Sequence, residues 1–224
     1  MRAKILLAAI LALTMAACDD DGGGFTPESP FRELSSPENV LNNIAACFNE
    51  MNYAELLPII HDGFVFYIWD GDVGSIPGDL APDGYMPRAA FLEAAHNMLS
   101  EGFIPCGPEP VPDLQIEGME MALTLSGDLT ETGLEGAPSG TQTAYVNLDL
   151  QVNTVGTIIY VVHSRPLFYF ASDSLHADTE GVTWQLWRVD DGENLNNPYV
   201  RAGMPAGHEA SWGSVLSLYY GFCD

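Results

Sequence analysis

Beyond its first few residues this chain has no lysine. Lys4 is the only one in 224 residues, and the remaining cations are Arg2, Arg32, Arg88, Arg165, Arg188 and Arg201. A domain without lysine can form no Schiff base and has no lysine for a phosphate-binding loop. The 31 acidic residues give a formal charge of −24, which becomes −26 once Arg2 and Lys4 are removed with a leader. Such a surface repels a phosphate backbone, which excludes nucleic acid as a partner, and the charge favours solubility.

Metal-ligand spacing is also lacking. His61, His96, His163, His176 and His208 are scattered, and no two stand one helical turn apart as in a helical zinc site. Asp70, Asp72, Asp79 and Asp83 offer oxygen ligands in one stretch, but Gly74 holds the third ligand place of a helix-loop-helix calcium site. A solvated loop is the expectation there. No metal and no cofactor are expected.

The apolar run of residues 5–13 is too short for a spanning helix. It follows Arg2 and Lys4 and precedes Ala16, Ala17 and Cys18, the layout of an export leader. This segment resembles the bacterial lipoprotein signal, with Met15 standing where leucine is commonest. The resemblance implies a signal peptide over residues 1–17 and a lipidated Cys18, with acyl chains such as palmitate holding the protein to the membrane of the cell envelope, facing the periplasm or the exterior. The alternative is an ordinary secretory leader cut near Ala16 or Ala17. The acidic and glycine-rich residues after Cys18 suit a solvated spacer, so residues 18–34 read as a tether.

With Cys18 set aside, Cys47, Cys106 and Cys223 remain, an odd number for an oxidising compartment. At most one disulfide can form within the chain. Cys47 shares a helical face with Val40, Ile44 and Met51, the setting of a buried, inert thiol. Cys106 and Cys223 are the better candidates for pairing.

Residues 35–224 read as a single α+β domain. A serine cap, Pro37 and Glu38 start a helix in which Val40, Ile44, Cys47, Phe48 and Met51 recur at helical spacing. A second short helix is expected over residues 53–61, with Pro58 as a kink or early stop. Residues 63–69 are dense in aromatic and β-branched side chains and predict a strand. Pro87 opens a third helix with Phe91, Ala94, Ala95 and Met98 on one stripe. The period then changes to two, with strands around residues 119–125, 144–152, 157–162, 167–171 and 182–189, and residues 211–220 close the chain as a short helix with Trp212, Val215, Leu216 and Tyr219 inward.

Segregated helices and an antiparallel sheet define the α+β class. Residues 56–66 before and into the first strand, and residues 183–190 as the last strand, make this order resemble the nuclear transport factor 2-like (SnoaL-like) family. The resemblance implies a cone: a curved antiparallel sheet packed against the three helices of the N-terminal half, with the short C-terminal helix added. It also implies a homodimer through the sheets, which the negative charge opposes unless the contact face is locally uncharged.

Enzymes of that family resemble one another in placing an ionisable residue inside an apolar cone. No local motif here matches one of them, so no catalytic residue is assigned. His163 is read as a structural histidine with a backbone partner rather than a group facing the cavity. Tyr67 is discounted likewise, and Asp149 alternates with Tyr145, Asn147 and Gln151 on the solvated sheet face. The candidate ligand wall is apolar: Phe66, Phe91, Met98, Met121, Leu148 and Val162. The reading favoured by these residues is an envelope lipoprotein whose cone binds a small apolar ligand or a protein partner without catalysis. The alternatives are an acid/base enzyme of isomerase, dehydratase or cyclase type, and a structural envelope component.

Overall fold

The computed structural model describes residues 29–68, 83–105, 112–156, 159–173, 182–191, 208–209 and 211–220. The leader, Cys18, the first part of the tether, Cys106, Cys223 and the aspartates at 70, 72 and 79 lie outside them. No helix among the described residues is long and apolar enough to cross a membrane.

Helix α1 (Pro37–Asn49) starts as its sequence dictates. Ser36 is extended and its hydroxyl accepts from the Asn39 amide, satisfying a donor that the first turn leaves over. The helix buries Val40, Leu41, Ile44, Cys47 and Phe48, the residues of its apolar period. It ends at Asn49, and Met51, two residues beyond, is the one non-glycine residue with positive φ (+52°) among those described. Helix α2 (Tyr53–Leu56) is shorter than expected. Pro58 has no N–H to continue it, so the chain tightens into a 3-10 turn (Leu57–Ile59) and enters β1 (Ile60–Tyr67) three residues early.

Strand β2 (Tyr85–Pro87) leads directly into α3 (Arg88–Met98). Six further strands follow: β3 (Ile116–Leu125), β4 (Thr130–Glu131), β5 (Gln142–Thr154), β6 (Ile159–Ser164), β7 (Leu167–Asp173) and β8 (Thr183–Asp190). Two-residue β9 (His208–Glu209) and helix α4 (Trp212–Leu218) follow. The sheet runs β2-β1-β8-β7-β5-β6-β9, with β3 and β4 on the other edge of β5.

This is the curled sheet wrapped on helices that a cone requires, but it is mixed rather than antiparallel. β1 runs parallel to β8, and β6 parallel to β9. Hairpins force the direction of β3 to β8, whereas β1 is joined to its partner only through most of the chain, so no turn fixes its sense.

Long β5 organises the whole. Ala144, Val146, Leu148, Leu150 and Val152 are buried on its inner face, and Tyr145, Asn147 and Asp149 point outward. β6 and β7 lie end to end along it in one register: Leu148 faces Ser164 and Tyr145 faces Leu167. Asn49 at the end of α1 clamps edge strand β3, donating to the Met121 carbonyl at 3.1 Å and accepting from the Met121 amide at 2.6 Å. The helices thus close the inner face of the sheet into a single hydrophobic core.

Candidate functional site

Two places in this frame gather side chains that could recognise another molecule. The first is inside the cone. β1 alternates, sending Phe64, Phe66 and Ile68 inward, and α3 turns Phe91 toward them. Phe91 lies 5.9 Å from Phe66, nearly parallel to it, and 4.7 Å from Phe64.

Into this group α4 inserts Trp212, which is fully buried. Its indole meets Phe66 edge-on at 5.2 Å, Phe91 at 6.2 Å and Phe48 at 6.3 Å, and lies 13° from parallel with Phe168 at 6.1 Å. These are the offset and edge-to-face arrangements that ring quadrupoles prefer. Yet Trp212 Nε1 has no hydrogen-bond acceptor among the described residues, and neither does the inward Ser164 hydroxyl have a partner there.

Polar contacts hold α4 at both ends. Asp191, buried just after β8, accepts from the Gly213 amide at 3.0 Å, and a Cβ at Gly213 would stand 3.1 Å from that carboxylate. Asn97 on α3 donates to the Tyr219 carbonyl at 2.8 Å, and the Tyr219 hydroxyl donates to the Leu114 carbonyl at 2.9 Å. Burial, with a smaller effect of Tyr160, raises the Tyr219 pKa well above the ordinary phenol value.

The six residues of the expected ligand wall all belong to this core. Phe66, Phe91, Met98, Met121, Leu148 and Val162 are each buried. Phe66 and Phe91 touch Trp212. The sequence gives Trp212 an inward position but no sign that it would stand at the centre of the ring cluster, because that depends on where α4 docks. Cys47 is a free, buried thiol; burial, then the charge of Glu55, push its pKa up to about 12. It is therefore neutral and inert, as its helical position predicts.

The second place is the outer face of β1, β8 and β7. Register puts Tyr67 beside Tyr85 and Asp190, and Arg188 beside Tyr169 and Val65. A bulge between Tyr169 and Phe170 offsets the β7–β8 pairing at Trp187, and the Trp187 ring meets Tyr169 edge-on at 6.2 Å. The Arg188 guanidinium lies 3.8 Å from the centre of the Tyr67 ring and 5.2 Å from that of Tyr169. Asp190 accepts from Nε of Arg188 at 2.5 Å and from its Nη2 at 3.0 Å, and also from the Tyr169 hydroxyl at 3.1 Å. Burial opposes the charge on Arg188, but the Asp190 hydrogen bond and charge outweigh it and raise its pKa. Tyr169 is pushed up to about 12, first by burial and then by Asp190.

Further along this face Arg165 lies 4.9 Å over the exposed Tyr145 ring. His163 sits on the same outer side, half exposed, and its Nδ1 is 2.5 Å from Asp149. Its partner is thus a cross-strand carboxylate rather than the backbone, since the two are register neighbours. Asp149 is on the solvated face, as the alternation predicts. The Tyr67–Arg188–Tyr169 stack is the arrangement that the sequence does not disclose. Its only trace there is a tyrosine at alternate outward positions of β1 and β7, opposite an arginine in β8.

Among the described residues no group of three or more His, Cys, Asp or Glu could hold a metal ion. No known protein family is matched by the chain, and no curated protein matches it. Solved structures similar to it include a putative aromatic ring hydroxylase from Novosphingobium aromaticivorans, at 14% identity and TM-score 0.46, covering 84% of this chain and 99% of that one. A conserved protein from Planctomyces limnophilus matches at 13% identity and TM-score 0.45, over 68% of this chain and 89% of that one. A nuclear transport factor 2-like superfamily protein from Salmonella enterica matches at 9% identity and TM-score 0.41, over 74% and 92% respectively.

Proposed function

We propose that this chain is an envelope lipoprotein, held to the membrane through Cys18, whose cone-fold domain is a non-catalytic module for protein contact. The observation that carries this reading is the outer face built on Arg188. Tyrosine, tryptophan and arginine are the side chains in which interface binding energy concentrates, and here five aromatic rings and two guanidinium groups share one side of the sheet. The interior offers less to a reaction. Cys47 is neutral, and the carboxylate of Asp191 receives the Gly213 amide.

Charge selects the occupant. On a chain of formal charge −24, this face carries Arg165 and Arg188 against Asp190, which already pairs with Arg188, and Asp149, which pairs with His163. A basic partner would be drawn to the acidic remainder of the surface. An equally acidic body can approach only where carboxylates are few, and a second copy of the chain is such a body, with the same face to offer. The test is sedimentation equilibrium of the purified Cys18→Ser chain at low and high salt. A dimer that tightens with salt and weakens at least tenfold in Tyr145→Glu supports the proposal. A monomer under every condition removes the second copy as the partner.

A further inference from the structure

Trp212 is seated in the cone as a bound molecule would be. Its indole fills a box of four phenylalanine rings, Phe48, Phe66, Phe91 and Phe168, three meeting it edge-on and one lying nearly parallel. We infer that this box is a binding site for a flat, uncharged, bicyclic aromatic molecule without a hydrogen-bond donor, and that helix α4 is its built-in competitor. The inference stands independently of the protein-contact reading, which concerns the other side of the sheet.

Two observations lead there. The first is the length of α4. Its seven residues are too few for a helix to persist alone in water, so its structure depends on the seating of Trp212, Val215, Leu216 and Tyr219. When the side chains leave, the helix has no reason to remain. The second is the indole N–H. Trp212 Nε1 is buried with no acceptor among the described residues, so the chain's own ring sits in the box with its donor unsatisfied. A ring of the same shape without an N–H avoids that penalty. An uncharged ring is required because the four walls are apolar, and such a space stays dry when vacated. Apparent affinity in the intact chain is then the intrinsic affinity reduced by the small fraction of time for which α4 is unseated.

The experiment uses the full-length chain with Cys18→Ser, with and without Trp212→Ala, and two isosteric probes, benzothiophene and indole. In the Trp212→Ala protein both probes should bind saturably and raise the melting temperature, benzothiophene about tenfold more tightly than indole. In the protein retaining Trp212, benzothiophene should bind more weakly. At saturation it should accelerate hydrogen exchange at the α4 amides while leaving those of β5 unchanged. If Trp212→Ala does not fold alone, recovery of its native circular dichroism on refolding with benzothiophene supports the site, and no recovery overturns it. A folded variant that takes up neither probe saturably also overturns the site. Indole binding as tightly as benzothiophene overturns the donor-free assignment, and unaltered α4 exchange at saturation overturns the competition.

Discussion

The guanidinium carbon of Arg188 lies 3.8 Å from the centre of the Tyr67 ring, with Tyr169 on its other side and Asp190 holding two of its nitrogens. A planar cation is needed for that position, because it must stack and form a fork at once. Arg188→Lys should therefore lower stability by about 1–3 kcal/mol even though charge is kept. Asp62→Asn supplies the contrast: its 3.7 Å pair with Arg88 is solvent-exposed, and no measurable change is expected. Urea midpoints of both variants check the difference.

Phe48→Ala should cost about 3–5 kcal/mol, since Phe48 is fully buried against Trp212. Trp184 lies on a periodic apolar strand but at its edge, partly exposed beside Leu34, whose carbonyl accepts from the Trp184 amide. Trp184→Ala should cost less, about 1–2 kcal/mol. Equal midpoints for the two variants would contradict the placement of Trp184 at the rim.

Alkaline pH should unfold the domain in a defined window. Tyr169 is raised from 10 to about 12 and Cys47 from 9 to about 12, so in both cases the folded state favours the protonated, neutral form. Their contribution to stability is whole below the unfolded values and is lost as pH rises through the folded ones. Stability should thus hold to about pH 9 and fall steadily toward 12. Tyr169→Phe should flatten the upper part of that fall, and peptide-resolved iodoacetamide labelling should modify Cys47 only after unfolding.

Cys18→Ser should move the protein from the membrane fraction to a soluble or uncleaved form. Each buried acyl CH₂ contributes roughly 0.8 kcal/mol to anchoring, and the variant has none to bury. Identical fractionation of the two forms would remove the anchor from the proposal.

Local chemistry made much of this architecture legible. The Ser36 cap with Pro37 fixes where α1 begins, and strict alternation from Ala144 to Val152 gives both the existence and the facing of β5. What the sequence leaves open is every relation set by distant pairing. The parallel match of β1 to β8 is specified by no turn, and the Tyr67–Arg188–Tyr169 stack needs that match together with the bulge at Trp187. Trp212 reads as inward-facing, but its seat among the phenylalanines follows from the docking of α4 on Asp191 and Asn97, each far away in the chain.

The junction of β6 and β7 at Arg165 and Pro166 is where the sheet is creased. Pro166 accepts from the Val146 amide at 3.0 Å and, having no N–H, returns nothing to β5. The ladder loses one bond there but keeps its count, so parity carries unbroken from Val162 through Ser164 to Phe168 and Phe170. Parity is all that separates the lining of the cone from its exterior along this edge. Deleting a single residue at the crease would leave β6 as it is and invert β7, turning Phe168 and Phe170 out to water and driving Leu167 and Tyr169 into the core. Two-residue changes at the same point would preserve the sidedness of both strands, which makes the crease tolerant of even insertions and intolerant of odd ones.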